Sequence, residues 1–138
     1  MVSFFAVACG SGTGEEGSVP GAPAAASDAD REIEITASDE PRFDPSSIQI
    51  STGETITFVI HNSGENDHEF VLGDEAYQDS HAAHMAEGHM MDSENAVTLE
   101  PGDTEELTWE FSEEGELLFG CHEPGHYEGG MVGAIEIG

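Results

Sequence analysis

Positive charge is almost absent from this chain of 138 residues, which contains no lysine and only two arginines, Arg31 and Arg42. Thirty acidic residues bring the formal net charge at pH 7 to −28. Nucleic acid and anionic membrane surfaces are therefore not expected as partners, because both are bound through clustered cations. So high a charge also destabilises a compact fold through self-repulsion, and salt screens that repulsion. The charge would therefore suit a protein from a salty habitat or from a host with an acidic proteome.

Cysteine is equally scarce, since the chain contains only Cys9 and Cys121. We do not expect these two to form a disulfide, because Cys9 lies in a segment that is typical of export signals. A domain of roughly 100 residues can bury enough apolar surface to fold without a disulfide. Each cysteine therefore needs its own chemical explanation.

The apolar stretch 1–9 is too short to span a bilayer. Its end, Ala6-Val7-Ala8-Cys9 followed by Gly-Ser-Gly, resembles a bacterial lipoprotein cleavage box, which implies lipidation of Cys9. A signal peptide cut at the small residues without lipidation is the alternative. Residues 10–30 are rich in Gly, Ser, Ala, Pro and acids, which predicts a disordered linker. We therefore expect an extracytoplasmic domain that meets a membrane only through this anchor.

Short apolar runs with a period of two begin at residue 31 and continue to residue 138. Their number and spacing predict an all-β domain, a sandwich or barrel, and no stretch has the rhythm of βαβ units. Residues 74–95 differ, because they contain no β-branched residue, and their composition favours a helix or ordered loop inserted between strands. In chain order, and with Phe43 between the first two, the strand candidates are 33–35, 48–50, 55–61, 69–72, 96–99, 106–111, 116–119 and 132–137.

Metal-binding side chains are concentrated in the segment 121–131, where Cys121, His126 and Met131 supply a thiolate, an imidazole and a thioether. Sulfur ligands select copper(I), and imidazole accepts either oxidation state of copper. Two histidines and a cysteine in a plane, with a weak axial methionine, form a blue-copper site. We predict that His68, at the start of a strand, supplies the second imidazole.

The motif Cys121-x4-His126-x4-Met131, with Pro-Gly before the histidine, resembles the copper loop of the cupredoxin family. The N-terminal half is similar to the same family through Phe43-x-Pro, Gly53-Glu-x-Ile-x-Phe and His68-Glu-Phe. The resemblance covers about residues 31–138 and implies an eight-stranded Greek-key β-sandwich. It also implies one type 1 copper held by His68, Cys121, His126 and Met131, with His126 nearest to solvent as the electron port. A monomer is expected.

Other interpretations of these residues are weaker. Zinc accepts the cysteine and both histidines, but methionine is a poor zinc ligand. Met131 alone could be a core residue. His122 and His61 are interpreted as outward-facing strand residues. Because residue 120 is glycine and no His-x-His pair occurs, the chain lacks the trinuclear copper site of multicopper oxidases. The chain also has no Ser/His/Asp signature, so we do not expect an enzyme.

The insert contains a dense group of imidazole and thioether side chains between residues 81 and 91. On a helix, His81, His84 and Met85 would share one face, with His89 a turn further on. Such a set suits copper in either oxidation state and suggests a second, weaker site. The alternative is a solvated loop that binds no metal. The candidates for this second site are His81, His84, Met85, His89, Met90 and Met91.

Two functions are consistent with these features. The first is a one-electron carrier that uses a type 1 Cu(II)/Cu(I) site and a redox partner protein. The alternative is an extracytoplasmic protein for copper storage, delivery or resistance, which uses the insert as a second site and meets a copper-handling partner. A cupredoxin-like adhesion or sensor module is a third reading, against which the complete ligand set argues.

The net charge of −28 leads to a first prediction about stability. The melting temperature of the copper-free protein should rise with added NaCl, because the screening length falls to about 3 Å at 1 M. Thermal unfolding followed by circular dichroism at low and high NaCl measures this. A melting temperature that falls steadily as NaCl is added would contradict the prediction.

Overall fold

A computed structural model describes residues 18–86 and 94–138 of the chain. Within these ranges, ten β-strands form two five-stranded sheets, and one α-helix connects two of the strands. The strands are β1 (Ala22–Pro23), β2 (Arg31–Ser38), β3 (Arg42–Asp44), β4 (Ser47–Ile50), β5 (Thr55–Asn62), β6 (His68–Gly73), β7 (Ala96–Leu99), β8 (Thr104–Glu110), β9 (Gly115–Gly120) and β10 (Val132–Ile137), and the helix is α1 (Glu75–Ala86).

The two sheets run in the orders β1-β8-β5-β2-β3 and β4-β10-β9-β6-β7. β2 is parallel to β5 and β4 to β10, whereas the other neighbours are antiparallel. This arrangement confirms the predicted all-β sandwich, although ten strands are present where eight were expected. β1 and β3 occupy the two edges of the first sheet with two and three residues each, too few to show an alternating pattern.

Residues 18–30, which the sequence assigns to a disordered linker, lie against the sandwich instead. Ala22 pairs with Glu110 of β8, and the Trp109 indole donates a 2.9 Å hydrogen bond to the carbonyl of Pro20. Backbone pairing on an open sheet edge needs no hydrophobic period, which explains why composition alone suggested disorder. The remainder of the predicted linker and the predicted signal segment with Cys9 lie outside the described residues.

The centre of the sandwich is an aromatic cluster that fixes β6, which carries His68, and β9, which directly precedes Cys121. Phe70 of β6 and Phe119 of β9 stack with their ring centroids 5.2 Å apart, and both are fully buried. Phe43 packs edge-on against both rings, at 5.9 and 5.3 Å. Because side chains two residues apart share a face of a strand, His68 and Cys121 extend the same inner face at one end of the core.

Helix α1 occupies the first part of the insert, where the composition favoured a helix or an ordered loop. Asp74 caps it, since its carboxylate accepts a 2.9 Å hydrogen bond from the Tyr77 N–H, as polar residues at helix starts do. Gln78 is fully buried, and its amide donates to the carbonyl of Val71 in β6 at 2.8 Å. The helix is thus attached to β6.

Within the described residues, no helix is long and apolar enough to cross a membrane.

Candidate metal centre

Three candidate ligands meet at one end of the sandwich, as predicted from the sequence. The Cys121 sulfur lies 3.5 Å from Nδ1 of His126 and 3.9 Å from Nδ1 of His68. All three donor atoms lie within 4.8 Å of one another, and the two imidazole rings are 4.8 Å apart at their centroids. β6 supplies His68, and the segment that follows β9 supplies the other two.

The spacing of these donors fits a metal ion with planar coordination. Ligand atoms placed 2.0–2.3 Å from a metal at trigonal angles are about 3.6 Å apart. The two distances from the sulfur, 3.5 and 3.9 Å, are close to that value. One thiolate and two imidazoles in this arrangement are the equatorial ligands of a type 1 copper site.

The segment between Cys121 and Met131 is held by its own backbone. The Cys121 N–H donates to the carbonyl of Met131 at 3.1 Å, and the Met131 N–H donates to that of His126 at 3.0 Å. Gly125 has a φ of +81°, a left-handed conformation that glycine adopts without strain, and it precedes His126. The two hydrogen bonds place the backbone of Met131, the fourth predicted ligand, beside Cys121 and His126. Met131 itself is fully buried.

The Cys121 thiol is buried in surroundings that resist its ionisation. Loss of water around it is the main cause that raises its pKa to about 12, and the charges of Glu69 and Glu123 act in the same direction. The Glu69 N–H opposes this effect, since it donates to the sulfur at 3.4 Å. The proton would therefore leave this sulfur only when a cation takes its place.

The two imidazoles differ in their surroundings. His68 is fully buried, and its Nε2 lies 2.9 Å from a carboxylate oxygen of Asp39. His126 is only partly buried. Desolvation, and then the neighbouring His68, lower the pKa of His126, which favours the neutral form that binds a metal.

His122 is buried and does not face solvent, so its interpretation as an outward-facing residue was wrong. Its Nε2 donates to the Gln78 side-chain oxygen at 2.6 Å, and its ring stacks on Tyr127 with a centroid distance of 4.6 Å. Desolvation is the main cause that lowers its pKa. Gln78 of helix α1 covers His122, which lies in the segment after β9, and no strand pattern could have revealed that contact. His61, in contrast, is exposed as predicted and contacts Thr104.

The structure does not bring the described residues of the predicted second copper site together. His81 is buried, with Nε2 3.3 and 3.4 Å from the two carboxylate oxygens of Glu69. His84 is exposed, and its Nδ1 donates to the carbonyl of Ser80 at 2.9 Å. The helix directs Gln78 and His81 toward the sandwich. His84 projects about 120° away from Gln78 around the helix axis, at about 100° per residue. The side chain of Met85 and all of His89, Met90 and Met91 lie outside the described residues.

Three residues near the ligands escaped sequence reasoning. Glu69 joins the two ligand strands, because its carboxylate accepts the His122 N–H at 2.8 Å while its own N–H donates to the sulfur. Gln78 connects helix α1 to His122. Asp39 contacts the His68 ring at Nε2, on the side away from Cys121. The position of Glu69 directly after a candidate ligand was a usable signal. Asp39 lies 29 residues before His68, and Gln78 lies in the helix that follows β6. Nothing in the sequence around either residue marks it.

Comparison with known proteins agrees with this geometry. The sequence model of copper-binding proteins of the plastocyanin/azurin family matches residues 30–138. The copper-resistant cuproprotein CopI of Rubrivivax gelatinosus is 40% identical over 119 residues, which cover 85% of this chain and 72% of that protein. The proteins of the same name from Pseudomonas aeruginosa and Vibrio cholerae are each 36% identical over 85% of this chain, and the matches cover 81% and 71% of their lengths.

Solved structures of auracyanins have the same fold. Reduced auracyanin from Roseiflexus castenholzii superposes with a TM-score of 0.70 and 27% identity, covering 80% of this chain and 98% of the other. Auracyanin A, a blue copper protein from Chloroflexus aurantiacus, gives a TM-score of 0.67 and 26% identity over 78% of this chain and 98% of its own. The family match, these structures and the grouped thiol and imidazoles together show that this chain belongs to the plastocyanin/azurin family of copper-binding proteins, with copper as its cofactor.

Proposed function

We propose that this protein is an extracytoplasmic copper-resistance cupredoxin that holds one copper ion with His68, Cys121, His126 and Met131. The observation that carries the proposal is the meeting of a buried thiol and two imidazoles at one end of a rigid core. That donor set favours copper over harder cations. The copper-resistance name of three relatives that are 36–40% identical supports resistance as the role.

The residues of the chain supply three things to the metal. The aromatic core holds the ends of β6 and β9 in place, so the ligands are arranged before binding. Burial of Cys121 excludes water from the sulfur, and the Glu69 N–H offers a hydrogen bond to a thiolate. Bound copper would supply a one-electron Cu(II)/Cu(I) couple. Export and lipidation at Cys9 remain proposals from the sequence.

Electron transfer is the second candidate function, and one observation favours it. His126 is partly exposed, whereas His68, Cys121 and Met131 are buried. An imidazole ligand at the surface offers a short route for an electron between the site and a redox partner. The two functions would use the same copper site, so they differ in partner and in whether copper is released.

The colour of the copper protein tests the ligand assignment. The Cu(II) form should show an intense thiolate-to-copper band in the visible region, because Cys121 is a direct ligand. Cys121→Ser should abolish the band, since serine offers no sulfur. Absorption spectra of both copper-loaded proteins measure this, with His61→Ala as a control that leaves the band unchanged. A band that persists in Cys121→Ser would show that the assignment is wrong.

Copper binding should release the thiol proton. Because the pKa of Cys121 is raised to about 12, this group is protonated in the copper-free protein at neutral pH. Its proton must leave when the sulfur binds copper, so about one proton per copper should appear at pH 7, and the affinity should rise about tenfold per pH unit. Titration in weakly buffered solution counts the protons. Equal proton release by wild type and Cys121→Ser would contradict the prediction.

Stoichiometry separates copper handling from electron transfer. Anaerobic titration with Cu(I) should show one tight copper and at least one weaker copper, because the described insert histidines, His81 and His84, do not form a preorganised site as the sandwich ligands do. Replacing the insert ligands should remove only the weaker phase and leave the visible band unchanged. His81 is kept, because it is buried against Glu69. The replaced residues are His84, Met85, His89, Met90 and Met91.

The role in resistance is tested in cells. A copper-sensitive bacterium that lacks its own copper-resistance cupredoxin should regain growth on copper when it exports the wild-type protein. The Cys121→Ser protein, produced at the same level, should not restore growth. Equal growth with both proteins would exclude resistance through this site. A single copper equivalent in the wild-type titration, together with no rescue of growth, would leave electron transfer as the function.

A further inference from the structure

Asp39 has no role in the function proposed above, yet it contacts one of the ligands directly. Its Oδ1 lies 2.9 Å from Nε2 of His68, which is the ring nitrogen that faces away from Cys121. The imidazole is fully buried, and the carboxylate is about one-third exposed, with a side-chain accessibility of 32%. Asp39 follows β2, so it reaches His68 from the other sheet.

This contact selects one form of the His68 ring. A carboxylate can only accept a hydrogen bond, so the proton of a neutral ring must be on Nε2. Nδ1 then has a free lone pair, and Nδ1 is the atom that lies 3.9 Å from the Cys121 sulfur. A neutral His68 ring therefore already has the tautomer that a metal needs.

The position of Asp39 is itself fixed by the turn that precedes His68. Its two carboxylate oxygens accept hydrogen bonds from the N–H groups of Glu65, at 2.7 Å, and Asn66, at 3.3 Å. Gly64 leaves the room for this carboxylate, because a Cβ at that position would collide with Oδ1 of Asp39. The carboxylate therefore cannot shift away from His68 without breaking the turn.

We propose that Asp39 is a positioning residue that orients His68 and, through its negative charge, makes the copper site favour Cu(II) over Cu(I). A carboxylate that accepts the ring proton increases the electron density on the opposite nitrogen. The more highly charged Cu(II) gains more from that density than Cu(I) does. Among the described contacts, no carboxylate is hydrogen-bonded to the His126 ring, so the two imidazoles are unequal donors. The inference rests on the ligand set proposed above but not on the role in resistance.

Asp39→Asn removes the charge and keeps an oxygen that can accept the same hydrogen bond. Loss of such a partner costs about 10- to 100-fold in metal affinity, and we expect Cu(II) binding to weaken about tenfold with a smaller change for Cu(I). If Cu(I) affinity is unchanged, a tenfold loss for Cu(II) raises the reduction potential by about 59 mV. Redox titration followed at the visible band measures the potential.

Two matched variants separate the causes. Asp67→Asn removes the same charge from an exposed residue next to His68 and should leave the potential nearly unchanged. Gly64→Ala keeps every charge but displaces the carboxylate, so it should raise the potential in the same direction as Asp39→Asn. Nitrogen NMR of the copper-free protein provides a readout without metal, and it should show the His68 proton on Nε2.

The inference is overturned if Asp39→Asn and Asp67→Asn shift the potential equally, because a general charge effect would then be sufficient. It is also overturned if the copper-free wild type has the His68 proton on Nδ1. Asp39→Asn should melt within a few degrees of wild type without copper, and Gly64→Ala provides an independent test if it does not. Failure of the ligand assignment is recognised separately, by a visible band that survives in Cys121→Ser.

Discussion

The stack of Phe70 on Phe119 is the contact on which the copper end of the molecule depends. It joins β6 to β9 inside the core. His68 is the next inward-facing position on β6, and Cys121 comes directly after the end of β9. Large aromatic rings pack with little freedom, so the imidazole and the thiol meet at a defined distance without a metal to draw them together. Burial of both side chains follows from the same packing, and so does the raised pKa of the thiol.

Sequence reasoning reached the fold class and the grouping of three candidate ligands because both depend on local signals. Alternating apolar residues in runs such as 55–61 identify strands whatever their partners are. The spacing of Cys121, His126 and Met131 within one loop encodes their proximity directly. His68 could be predicted as a ligand because it begins a strand in a recognisable motif. The structure places it beside the other donors.

The remaining features depend on contacts between distant segments, and no local pattern predicts them. His122 appeared exposed because its cover comes from α1, an element whose docking the strand pattern does not encode. His81 and His84 seemed to share a site, but the orientation of the helix against β6 buries one and exposes the other. Asp39 belongs to a turn whose partner lies in the opposite sheet, so only the folded backbone brings it to His68.

The segment 18–23 has a consequence for how the protein behaves at high concentration. It pairs with the outer side of β8, where an edge strand would otherwise present unpaired backbone groups to a second molecule. Open edges of this kind promote association between sheets and, eventually, aggregation. Trp109 and Glu110 are paired in this way, and the Thr108 carbonyl accepts a hydrogen bond from the Ala24 N–H at 3.2 Å. The adjoining part of β8 carries the exposed Glu105 and Glu106. The segment 18–23 and the negative charges of Glu105 and Glu106 thus both protect this edge of β8 against association with a second sheet.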